Sequence, residues 1–184
     1  MKDRVRIKTP MILPGHLAAG YVATFLTITT LGYSFTSTEQ TLLLTAGTLL
    51  GDAPDVDVFF SFIKHKSVKV HSLKGHRDHI THIPLLWLLL GLSIWISSTS
   101  DFYKTLGLLL WFCPWSHLIC DSVFTDTGVR WFAPFTQKSA MFFKRKNEDF
   151  PLNWKNLFYK YAQNPLFYLE FSVVVLAFII FIYR

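Results

Sequence analysis

Charge is scarce in this 184-residue chain. Only 16% of its residues are Asp, Glu, Lys or Arg, against about one-quarter in an average soluble domain. Cysteine is scarcer still, with only Cys113 and Cys120. They are seven apart and form no CxxC pair, so a disulfide framework is not indicated and two buried apolar thiols are the plain expectation. There is no internal repeat, Gly-rich phosphate loop or low-complexity tract.

Apolar and aromatic residues are abundant. The chain is 51% hydrophobic and carries 18 Phe, 7 Tyr and 6 Trp. Length and composition together predict one integral membrane domain over 1–184. The net charge of +6 is unevenly spread and does not read as nucleic-acid affinity. No nucleic acid and no obligate protein partner are expected.

A membrane-spanning helix needs about 20 mostly apolar residues. Five segments qualify: about Met11–Phe35, Thr41–Ile63, Thr81–Ser98, Phe102–Cys120 and Phe167–Tyr183. So few segments cannot close a barrel, so the fold class is all-α, a polytopic bundle of about five transmembrane helices. The first segment is longer than the apolar core of a secretory signal and reads as a retained span. Pro54 ends or kinks a helix after Gly51, and Pro84 fits a first helical turn.

Basic residues then orient the bundle. Sixteen of the 18 Lys and Arg lie in the N-terminus, in Lys64–His82 and in Asp121–Asn164. Only Lys104 and Arg184 remain for the other side. An excess of Lys and Arg marks the cytoplasmic face, so the N-terminus is expected inside and the C-terminus outside. The segment at about 122–164 is expected to lie at the cytoplasmic interface. Its TDTGVRWFAPF stretch mixes aromatics with cations, which suits an interfacial loop or a lipid entrance.

Against this apolar background the ionisable residues stand out, because they are costly in lipid. His16, the acids Asp52, Asp55 and Asp57 of GDAPDVD, the histidines His76, His79 and His82 of HRDHITH, and His117 with Asp121 all fall at span ends on the cytoplasmic side. His117 and Asp121 are four apart and share a helix face. Three carboxylates in six residues repel one another unless a cation offsets them. Imidazole and carboxylate ligands with few thiols point to zinc or manganese, one or two ions. The candidate metal ligands are therefore His16, Asp52, Asp55, His76, His79, His82, His117 and Asp121. Asp55 and Asp57 are candidate bases or ligands, Arg77 offers a fork for phosphate, and Thr81 adds a hydroxyl. Asp126 reads as a loop residue, His65 and His71 as solvated, and Glu170 as an interfacial acid near a helix start.

These motifs in this order resemble the YdjM-like family of predicted bacterial inner-membrane metal-dependent hydrolases. The matching elements are His16 in PGHLAAG, the PDVD of Pro54–Asp57, HRDHITH, His117-x-x-x-Asp121, Thr125-x-x-Gly128 and WFAPF. They extend from about Pro14 to Phe135. The pattern is also distantly similar to zinc-dependent phospholipase C. The resemblance implies His16, Asp55, His76, His82, His117 and Asp121 as ligands. Two departures stand out: HRDHITH is one residue longer than the family's HRxxTH, which leaves His76 and His79 as alternatives, and Val58 replaces a frequent His.

The function expected from residues and resemblance together is hydrolysis of a phosphoester or ester in a lipid-like substrate, by metal-activated water. The expected location is the bacterial inner membrane, with the site at the cytoplasmic leaflet and a membrane lipid as substrate. The rival readings are a metal-ion transporter or sensor, and a non-catalytic scaffold with a structural metal. A transporter needs polar groups along its whole path, and the outer halves of the spans offer little beyond Thr27, Thr29 and Thr30.

Overall fold

The computed structural model describes residues 13–57, 79–124, 128–140, 162 and 165–184. His65, His71, His76, Arg77, Asp126 and most of the expected interfacial segment lie outside them. The described residues form five α-helices and no sheet: α1 (Leu13–Leu31), α2 (Ser37–Leu50), α3 (Pro84–Ser97), α4 (Asp101–Phe124) and α5 (Pro165–Tyr183). Two 3-10 turns, Ala53–Asp55 and Ile80–His82, lie between α2 and α3.

Each helix falls on one expected segment, with shifted ends. Thr36 begins α2 with a reciprocal cap: its hydroxyl accepts from Glu39 N, while the Glu39 carboxylate accepts from Thr36 N. Two orphan amides of the first turn are thereby satisfied. The helix stops at Leu50, well short of the expected Ile63, because Pro54 cannot continue it and a 3-10 turn takes over. Pro84 occupies the first turn of α3, where its missing N–H costs nothing.

α4 is the central element, packed against α1, α2 and α3, and α1 also packs on α2 and α5. Two contacts between helices are made by backbone rather than side chains. A Cβ added to Gly51 would lie 2.6 Å from the His16 carbonyl oxygen and 2.9 Å from Gly20 Cα. A Cβ on Gly91 of α3 would lie 2.5 Å from the Gly107 oxygen of α4. Small residues at such crossings let apolar helices approach closely where lipid gives no hydrophobic drive.

The bundle is apolar outside and partly polar within. Leu26, Leu49, Leu89, Ile96, Phe171, Phe178 and Phe181 are exposed, whereas His16, His82, His117, Asp121, Ser122 and Glu170 are buried. That distribution suits an apolar solvent. Glu170, near the start of α5, is buried within the bundle. Among the described residues one helix, Asp101–Val123 in α4, is long and apolar enough by length and composition to cross a membrane. At about 1.5 Å per residue α4 extends about 36 Å, α1 and α5 about 28 Å each, and α2 and α3 about 21 Å each.

Candidate metal centre at one end of the bundle

Four chain regions meet where α1 begins, α2 ends, α3 begins and α4 ends. His16 lies in the first turn of α1 and is buried. Asp55 closes the Ala53–Asp55 turn that follows the Gly51 cap of α2. His82 closes the Ile80–His82 turn ahead of α3. His117 and Asp121 project from one face of α4 near its end.

Hydrogen bonds staple these regions together. The Thr81 hydroxyl donates to the Pro54 carbonyl at 2.8 Å and so joins the two 3-10 turns. The Trp87 indole donates to the Thr81 carbonyl at 2.7 Å, and the Trp115 indole to the Pro84 carbonyl at 3.0 Å. Together they tie the turn bearing His82 to α3 and α3 to α4.

The side chains converge closely. His82 Nε2 is 3.2 Å from Asp55 Oδ1 and 3.9 Å from Asp121 Oδ2. His117 Nε2 is 3.5 Å from Asp55 Oδ1 and 4.0 Å from Asp121 Oδ2. The His16 ring stacks on His117 with centroids 3.7 Å apart. Among the described residues two sets of three ligand atoms lie within 4.8 Å of one another: His16, His117 and Asp121, and Asp55, His82 and His117. Atoms bound about 2.1 Å from a common ion lie about 3–3.5 Å apart, so small movements would bring either set onto an ion.

The protonation pattern also fits. His117 Nδ1 is 3.0 Å from the Gly51 carbonyl oxygen. A carbonyl can only accept, so Nδ1 carries the hydrogen, and in the neutral ring Nε2 presents its lone pair to the cluster. Asp52, also past the end of α2, is half-buried.

The structure separates the sequence's candidates. His16, Asp55, His82, His117 and Asp121 come together. Asp52 and Asp57 are half-buried and belong to neither set. His79 does not share a face with His82: it precedes the 3-10 turn in extended conformation (φ −68°, ψ 153°) and is exposed, with Nδ1 3.1 Å from the Thr81 hydroxyl. Thr81 serves as the staple. Asp55 is the open edge of the group, its side chain 30% exposed while those of His82 and His117 are closed off. Sequence reasoning missed Gly51, whose carbonyl orients His117. The available signal was the Gly47-x-x-x-Gly51 spacing in an apolar helix, a pattern of close helix contact.

An all-helical bundle with an apolar exterior and a buried His and Asp cluster at one end is the class that fold and site define. Residues 11–184 match the YdjM inner membrane protein family, and the chain belongs to that family. It is an inner membrane family, in agreement with the composition. No curated protein and no solved structure matches the chain.

Proposed function

We propose that the protein is a membrane-embedded, metal-dependent hydrolase of a phosphoester or ester in a lipid-like substrate. The observation that carries this reading is the convergence of three imidazoles and two carboxylates, from four separate chain regions, into two overlapping sets that share His117. Two carboxylates and neutral imidazoles offset the charge of one divalent ion, zinc or manganese. Both ligand sets include His117, and the reading takes one or two ions there. An ion held there supplies Lewis-acid activation of water and of the scissile bond.

The chain's own residues do the rest. His16, His82, His117 and Asp121 form the closed side of the site. Asp55, at its open edge, holds the ligand position nearest substrate and can accept a proton from attacking water. The reading includes a five-span topology with the site at the cytoplasmic leaflet, which the distribution of Lys and Arg supports. Transport is the weaker alternative. Away from the cluster, the buried polar groups of the described helices include the hydroxyls of Thr24, Thr27 and Thr105, which are poor ligands for a transition-metal ion.

The test uses protein purified in detergent, its zinc and manganese content, and a panel of lipid phosphatase and lipase substrates. The native protein should bind metal and turn over one class. Asp55→Asn should stay folded and lose turnover. If that variant keeps both its metal and normal turnover, the proposal fails.

A further inference from the structure

The segment after α4 has a feature that the metal site leaves unused. Val129 and Ala140 pair as an isolated antiparallel bridge through hydrogen bonds of 3.1 and 2.9 Å. The loop so closed is braced against the bundle. Val129 and Ala133 are buried. The Trp131 indole donates to the Ser122 hydroxyl at 2.9 Å, and Ser122 donates to the Leu118 carbonyl at 2.9 Å. Ser122 is the residue after Asp121, so the loop is fixed to the same helical turn as the metal cluster.

Phe132 and Phe135 point the other way, 69% and 86% exposed. Large phenyl groups held outward are unfavourable in water. The rest of the neighbourhood names the medium that suits them. An aromatic ladder runs from the loop along α4: Trp131 meets Trp115 at 5.4 Å, Trp115 meets Trp111 at 5.6 Å, and Trp111 meets Phe112 at 4.9 Å. Phe112 is exposed on the flank of the helix long enough to cross a membrane. Lys138 is exposed in the same loop, and Arg130 bonds Gln137 across it. Aromatic rings beside cations are the composition of a bilayer interface with anionic headgroups.

We propose that the Val129–Ala140 loop is a bilayer anchor: Phe132 and Phe135 sit at the headgroup–acyl boundary of the leaflet next to the His and Asp cluster. The Trp131–Ser122 bond carries that depth to α4 and fixes the level at which the cluster meets lipid. The inference rests on the membrane character of the family and not on hydrolysis, so it is measured without metal or turnover.

The full chain, carrying Cys113→Ala and Cys120→Ala, is placed in nanodiscs of phosphatidylethanolamine and phosphatidylglycerol. An environment-sensitive dye is attached at Phe135→Cys and, in a second protein, at Phe132→Cys, so that one failed fold does not end the test. Lipids brominated near the headgroup end of the acyl chain should quench the dye several-fold more than lipids brominated near its methyl end. Aqueous iodide should quench it several-fold less than the same dye on a water-exposed peptide. Iodide quenching equal to that of the peptide overturns the proposal and leaves a soluble protein partner as the reading of the patch. Stronger quenching from the methyl-end bromines overturns it in favour of a buried segment. A protein that binds no metal but gives the expected quenching refutes the metal reading alone.

Discussion

At the residue scale His117 decides the most. Its Nδ1 is committed to the Gly51 carbonyl, its Nε2 faces Asp55 and Asp121, and its ring stacks on His16. Loss of an outer-shell partner typically costs about 10–100-fold in metal affinity, and loss of a direct ligand should cost more. His117→Ala, His82→Ala and Asp121→Asn should each weaken zinc binding by more than about 100-fold in a chelator competition. His79→Ala should bind zinc as the native chain does, because that ring is exposed and outside both ligand sets. Equal losses in His79→Ala and His82→Ala would contradict this division. The division itself was not legible in HRDHITH, where a spacing of three lets all the histidines share a helical face. The chain instead enters a 3-10 turn through extended backbone at His79, and that local change sends one ring outward and one inward. His117 and Asp121 were legible, since a spacing of four on a regular helix leaves no such freedom.

At the element scale the site depends on how closely α1 and the end of α2 can approach. Gly20 and Gly51 meet backbone to backbone, and the Gly51 carbonyl then reaches His117. Gly91 and Gly107 make a similar contact between α3 and α4, away from the cluster. An added methyl at either crossing overpacks it, at a cost of about 1–3 kcal/mol. Gly51→Ala and Gly91→Ala should therefore lower the thermal midpoint by similar amounts. Only Gly51→Ala should also weaken zinc binding, by about 10–100-fold, as expected for a displaced outer-shell partner. Thermal unfolding and zinc affinity measured on both proteins separate the two effects, and a matching affinity loss in Gly91→Ala would show that Gly51 has no particular role. The five helices themselves were legible from apolar runs and from Pro54 and Pro84. Their lengths were not, since a hydrophobic run continues through the 3-10 turn that ends α2, and hydropathy does not register a change in backbone hydrogen bonding.

At the scale of the whole molecule, unequal helix lengths give the proposed topology a consequence. A hydrocarbon core is about 30 Å thick. α4 exceeds that, whereas α2 and α3 extend only about 21 Å each. If the capped end of α2 at Thr36 and the start of α4 at Asp101 meet the outer interface, the turns bearing Asp55 and His82 begin below the inner one. The cluster is then recessed within the leaflet, at the level of the ester groups of a phospholipid rather than in the cytosol. A large soluble ester should therefore be a poor substrate and a bilayer lipid a good one. The arrangement requires the end of α5 to face outward and the loop after α4 to face inward. Fusion of alkaline phosphatase after Arg184 should give an active enzyme, and a fluorescent protein fused there should stay dark. A fluorescent protein inserted after Ser139, beside the Val129–Ala140 bridge, should fluoresce. The reverse pattern would place the His and Asp cluster at the outer leaflet and would refute the orientation drawn from Lys and Arg, while leaving the geometry of the cluster unchanged.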